Sequence, residues 1–323
     1  MRGMEKLSQY LLKLSKGAIA KHPNEFQDLA LSEAKDIIQF DSCVWGNGNW
    51  VNDTPVVHNV HLYNLKGNFI ESWMRFQHED KLIREATKNN NRTINSDLAR
   101  DFENTNLYNI FCKEFCLEHV LSTASIDPDT QILSTIVIYR SGRNQPFTED
   151  ERSLQEILFQ HLIEAARINW LTNLPNIFST FQHCKIGALA SCSHDGILYM
   201  AMPSFVELCG NEWASWKGPF LPAELVTKIG ESKTYMGQSI VINSFHENGI
   251  ILLRARKKAP ADQLSSRELK VAEKIADGDD YKTIAQDLGI SPATVKSHIA
   301  NIFIKLGINN KSKLSIELAK ISI

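Results

Sequence analysis

The segment Leu288-Gly289-Ile290-Ser291-Pro292 forces a helix to stop, turn sharply and start again. Gly289 suits the left-handed backbone conformation of a tight helix–helix turn, which a side chain would resist. Ser291 can cap the next helix with its hydroxyl, and Pro292 falls at the first helical position, where a missing N–H costs nothing. Upstream, Ser265 and Glu268 have the spacing of a capping box just before an apolar-periodic run, so a helix is expected from about Ser266 to Ala276. Gly278 ends it, and Tyr281 to Leu288 makes a second short helix with Ile284, Ala285 and Leu288 on one side. In the third helix, expected over Pro292 to Leu306, Val295, Ile299, Ile302 and Leu306 recur at spacings of four, three and four, which makes one buried stripe.

The side of that third helix left free carries Ala293, Lys296, Ser297, Ala300 and Asn301, small or hydrogen-bonding residues that permit close approach to base edges in a major groove. Charge is distributed to match. From Ser291 to Ile323 five lysines face one acid, net +4, whereas from Asp262 to Ile290 four basic residues face seven acidic ones, net −3. Positive charge therefore gathers where the motif would meet phosphate. A plain helical hairpin needs neither this polarity nor the run of cap, glycine and proline.

The whole chain carries 35 Lys and Arg against 37 Asp and Glu, so a uniformly basic coat is excluded and any nucleic-acid footprint must be local. Its 323 residues exceed one typical core, and two or three domains are expected. With 43% hydrophobic and 22% charged residues the composition is that of an ordinary globular protein. Six cysteines without even spacing suggest reduced thiols in a cytoplasmic protein. Lys6, Lys13 and Lys16 interrupt the first twenty residues, and no apolar run approaches the roughly 18 residues of a membrane span, so neither secretion nor membrane insertion is expected.

Two breaks divide the chain. Thr148 and Glu151 have capping-box spacing and open a long helix whose apolar face is Leu154, Ile157, Leu158, Leu162, Ala165 and Ile168. That helix is expected to end near Asn173, before Pro175. The second break is the charged, Pro-containing linker from Lys257 to Asp262. Strands are expected at Pro55 to Leu65, and at His119 to Ile126 and Ile132 to Tyr139, the last two joined by Asp127-Pro128-Asp129-Thr130. Further strands, Ile186 to Ser191 and Ile197 to Met202, flank His194-Asp195-Gly196; Ser239 to Ser244 and Ile250 to Ala255 flank Asn248-Gly249. No internal repeat of fixed period is present. The expected fold is α+β: two small mixed domains, 1–173 and 178–258, followed by an all-α domain at 262–323.

Leu264-Ser265-Ser266-Arg267-Glu268, Ile284-Ala285, Leu288-Gly289-Ile290-Ser291-Pro292, Thr294-Val295-Lys296-Ser297-His298 and Lys305-Leu306-Gly307 resemble the LuxR-type helix-turn-helix. The resemblance covers the last fifth of the chain and implies a four-helix domain that binds double-stranded DNA, dimerises through its last helix and regulates transcription, with RNA polymerase as a further partner. By position it implies base contacts from Lys296, Ser297 and Ala300, to which the free face adds Asn301. Backbone contacts are implied for Lys282, Thr294 and Lys311, with Ser291 and His298 beside them, and dimerisation for Leu314 and Leu318. Ala300 and Ile304 depart from the family, which often has basic or polar residues there. Phe40 to Gly46, Val60 to Tyr63 and Pro146 to Arg152 resemble GAF-like sensor regions, and Ser193 to Gly196 with Asn211 to Trp216 resembles a short PAS-like unit. These imply that a small-molecule or protein signal acts on the N-terminal region.

Trp45, Tyr63 and Trp73, with Trp50 and Phe76, could line a ligand pocket, although core packing is the commoner use of such residues. Cys112 and Cys116 lie four apart near His119 but lack a second ligand pair, and are expected to serve as buried small hydrophobes. Asp277-Gly278-Asp279-Asp280 lacks the remainder of a calcium loop and is expected to be a solvated turn. No phosphate-binding loop, dinucleotide fingerprint, nucleophile elbow or H-E-x-x-H motif occurs, so no enzyme, cofactor or metal is expected.

Overall fold

The computed structural model describes residues 2–177, 188–247 and 249–321. Its first part opens with helices α1 (Arg2–Ala20) and α2 (Pro23–Ala34), followed by strands β1 (Ser42–Val51) and β2 (Thr54–Tyr63). Helices α3 (Phe69–Phe76) and α4 (Lys81–Lys88) lead to β3 (Thr93–Asp97), α5 (Leu98–Asp101) and a π-helical turn at Leu107–Cys112. Strands β4 (His119–Ile126) and β5 (Leu133–Arg140) and the long helix α6 (Glu149–Ile177) complete it. The strands form an antiparallel sheet in the order β2-β1-β5-β4-β3. Side-chain alternation along β1 sends Cys43 and Trp45 into a core with α1, α2 and α6, and sends Val44 into a core with Phe69 and Phe111 on the other face.

Helix α6 starts as expected. The Thr148 hydroxyl accepts from the Glu151 N–H, and the Glu151 carboxylate accepts from the Thr148 N–H at 2.9 Å. Its buried stripe is Leu158, Phe159, Leu162 and Ala165, while Ile157 is 46% and Ile168 38% exposed. These two isoleucines lie about a quarter-turn from the stripe at 100° per residue, which the sequence pattern alone had merged with it. Asn169 continues the stripe and donates to the carbonyls of Ala18 (3.0 Å) and Lys21 (2.7 Å), satisfying groups at the end of α1. The helix also runs through Pro175 to Ile177 instead of ending near Asn173.

A second antiparallel sheet contains β6 (Ala188–Cys192), β7 (Leu198–Ala201), β8 (Thr234–Met236), β9 (Ile240–Glu247) and β10 (Ile250–Lys257), in the order β7-β6-β10-β9-β8. Both sheets thus place their strands second, first, fifth, fourth and third. This topological repeat leaves no periodic trace in the sequence. Helices α7 (Pro203–Glu212) and α8 (Ala223–Ser232) cover one face, with Phe205, Leu225 and Ile229 buried. Leu189 and Leu252 on the other face pack against Trp170 and Leu171 near the end of α6. The expected start of β6 at Ile186 and the turn residue Asn248 lie outside the described residues.

The last part is all helical: a short 3₁₀ helix (Pro260–Gln263), then α9 (Ser266–Ala276), α10 (Tyr281–Leu288), α11 (Pro292–Leu306) and α12 (Lys311–Ala319). Val271, Ile275, Ile284, Val295, Ile302 and Leu314 are its core. The supposed open linker from Lys257 to Asp262 is instead pinned. The Arg256 guanidinium on β10 grips the Asp262 carboxylate through bonds of 2.7 and 2.6 Å, and Ala261 is buried in the helical core.

Candidate nucleic-acid interface

Local chemistry fixes each helix end around α11. Asp280 caps α10, accepting from the N–H groups of Lys282 (2.8 Å) and Thr283 (2.9 Å). Gly289 closes α10 at φ 61°, and Ser291 caps α11 by accepting from the Thr294 N–H at 3.1 Å. Asp277 to Asp280 is therefore a capping turn. Arg267 of α9 donates to the Leu288 carbonyl, tying the first helix to the end of the second. Glu268 completes the capping box with Ser265, whose N–H it accepts at 2.8 Å, and also receives Lys305 at 2.7 Å. The Lys305 ammonium and the Ser265 N–H hold the Glu268 carboxyl down at about 2.

Burial of Val295, Ile302 and Leu306 turns a continuous surface of α11 outward. Ala293, Ser297, Ala300 and Ile304 run down its centre, Lys296 on one flank and Asn301 on the other, all exposed. Thr294 is exposed as well, with its hydroxyl 2.8 Å from that of Ser291, while His298 is half-buried at the margin. Lys282 and Lys311 project from the starts of α10 and α12. Among the described residues Lys282, Lys296, Lys311 and Lys313 form no ion pair, whereas Lys305 pairs with Glu268 and Lys320 with Glu317. The lysine surplus read from the sequence is thus only partly free to meet an anion. Sequence reasoning missed Tyr281. It is 39% exposed, and the Lys296 ammonium lies 5.9 Å from its ring centroid, joining the start of α10 to α11.

Leu314 and Leu318, expected at a dimer contact, lie instead in the interior. They are 1% and 8% exposed in the helical core, because α12 packs this side on α9; Ile316, at 60%, is exposed on the same helix.

The expected aromatic pocket also divides. Trp45 is buried among the helices on one face of the first sheet, 6.4 Å from the Phe26 ring, and Tyr63 packs on Phe40 against the same core. Trp73 lies on the opposite face, beside a cavity of about 90 Å³ also lined by Val60, Phe69, Asp80, Val137 and Tyr139. Trp45 and Tyr63 point from strands to one face, whereas Trp73 sits on α3, which packs on the other face. Trp73 donates its indole N–H to Asp80 at 2.8 Å, and burial pushes the Asp80 carboxyl above the usual range. Trp50 and Phe76 are partly buried in separate apolar clusters. Cys112 is buried, its thiol pushed up to about 12, but Cys116 is exposed, contrary to expectation, because the chain turns there at φ 55°. Among the described residues no group of three or more His, Cys, Asp or Glu is placed to hold a metal, and no helix is long and apolar enough to cross a membrane.

Residues 262–318 match the family described as bacterial regulatory proteins, luxR family. The transcriptional regulatory protein UhpA of Escherichia coli is 50% identical over 54 residues, which are 17% of this chain and 28% of the relative. The spore germination protein GerE of Bacillus subtilis is 39% identical over 57 residues, 18% of this chain and 77% of its own length. The chain therefore spans little more than a quarter of UhpA but most of GerE. Among solved structures, Escherichia coli SdiA aligns over 97% of both chains at 12% identity with a TM-score of 0.40.

Proposed function

The chain belongs to the LuxR family of bacterial regulatory proteins, and from that footing we propose that it is a sequence-specific DNA-binding transcription regulator governed by its N-terminal region. The exposed face of α11 carries this reading. It lies opposite a buried stripe, starts at a capped turn and is flanked by Lys282, Lys296 and Lys311, which form no ion pair among the described residues. In this proposal α11 enters the major groove with Lys296, Ser297, Ala300 and Asn301 toward bases, while Lys282, Ser291, Thr294, His298 and Lys311 meet the backbone. Selection of bound sequences from random DNA by the full chain, followed by binding at several salt concentrations, tests it. An enriched sequence whose affinity falls with salt supports the proposal; an adaptor without DNA affinity would enrich none.

The proposed units are a GAF-like sensor ending with α6, a PAS-like unit formed by the second sheet, and the DNA-binding helices from Pro260 onward. A homodimer paired through the exposed side of α12 is proposed on DNA, in contact with RNA polymerase. The signal site we propose is the cavity beside Trp73, since it is apolar with a few polar groups. Melts of the full chain against a metabolite library test it, because a ligand selective for the folded state raises the midpoint.

A further inference from the structure

Ile304 is 78% exposed, although isoleucine is among the residues most often buried. Its position on α11 gives that exposure meaning. At 100° per residue Ala293, Ser297, Ala300 and Ile304 fall within about 60° of one another, opposite Val295, Ile302 and Leu306. The outward centre of the helix is therefore methyl, hydroxyl, methyl and branched alkyl in succession. Beyond Ser297 it offers no hydrogen-bonding side chain at its centre. A guanine or adenine edge in the major groove presents acceptors and donors that Ala300 and Ile304 cannot meet, so placing either there would desolvate the base without return. The thymine C5-methyl is the one apolar feature of a base edge in that groove.

We infer that Ala300 and Ile304 form an apolar reading surface for thymine methyl groups, and that each half-site carries thymine where this surface lands. The inference rests on the proposal that α11 enters the major groove. Seven residues from Ser297 to Ile304 span about 10 Å along the helix axis. That is about three base-pair steps of DNA, with Ala300 about one step along, so the thymines lie about one and about three pairs from the position met by Ser297. Lys296, which forms no ion pair among the described residues and lies over the Tyr281 ring, reads or binds at the opposite end of the same surface.

The test uses the sequence selected by the full chain, with thymine replaced by uracil one position at a time, which deletes only the methyl group. Loss of one methyl contact lowers affinity about fourfold. That loss is expected in each half-site at the position met by Ala300 and, about two pairs further on, at the position met by Ile304. Ile304→Ala and Ile304→Ser, both at an exposed position, are expected to abolish the thymine–uracil difference there while keeping the salt dependence of the parent chain. The inference is overturned if uracil at every position binds as well as thymine, if the corresponding positions select G·C pairs, or if the difference persists in both variants. Absence of any selected sequence would instead overturn the DNA-binding reading, so the two failures are distinguishable. An Ile304 variant that loses transcriptional activity with its methyl discrimination intact would assign the side chain to a protein partner and overturn the inference.

Discussion

Lys305 and Glu268 join the third and first helices of the C-terminal helical head (Pro260–Ala319) through a 2.7 Å ion pair, the Glu268 carboxylate also holding the Ser265 N–H. One carboxylate thus closes a helix cap and a tertiary contact. Glu268→Ala removes both, and the head is expected to lose about 1 to 2 kcal/mol: about 1 from the cap, and a fraction from a pair whose lysine is partly exposed. The pH dependence follows from the lowered carboxyl. This contribution is present above the ordinary glutamate value of 4.5 and is lost as pH falls toward about 2. Denaturant titrations between neutral and acid pH, compared with Glu268→Gln, check it. An unchanged difference across that range would contradict the role given to the charge.

Arg256 and Asp262 are expected to hold the head against the second sheet. The Asp262 carboxylate is only 6% exposed, so Asp262→Ala leaves a guanidinium largely without its partner and should cost about 3 kcal/mol. Hydrogen exchange and limited proteolysis at residues 257 to 263 should rise sharply in that variant. Protection equal to the parent chain would mean that Ala261 and its apolar contacts suffice.

Much of the head was legible in the sequence, because its signals are local. Cap, glycine turn and proline start place α9, α10 and α11 to the residue, and the β4–β5 hairpin follows from its turn chemistry. What escaped depends on distant partners. The Arg256–Asp262 grip turns an apparent linker into a fixed joint, and the Glu268–Lys305 pair subtracts a lysine from the apparent basic surface. Which side of a short helix is buried was also beyond reach on α12, where Leu314, Ile316 and Leu318 are equally apolar and only packing separates them. Packing of α3 on the far face of the first sheet likewise separates Trp73 from Trp45.

On α12 the two kinds of leucine-sized residue should behave oppositely. Leu314→Ala is expected to destabilise the head by about 2 to 5 kcal/mol through transfer and cavity costs. Ile316→Glu should leave the melt unchanged and weaken self-association, measured by sedimentation. Equal melts for the parent and Leu314→Ala would contradict its burial, and unchanged association in Ile316→Glu would remove α12 from the proposed dimer contact.

If α11 reads bases while the start of α12 meets phosphate, Lys296 and Lys311 should differ in kind. Lys296→Ala and Lys311→Ala, each confirmed to fold, are to be titrated against the selected sequence and a scrambled one at several salt concentrations. Lys296→Ala should lose about 1 to 3 kcal/mol of discrimination between the two sequences. Lys311→Ala should weaken both alike and reduce the salt slope by about one. If Lys296→Ala weakens both sequences equally, base reading by Lys296 is contradicted; if neither variant alters binding, the docking of α11 itself fails.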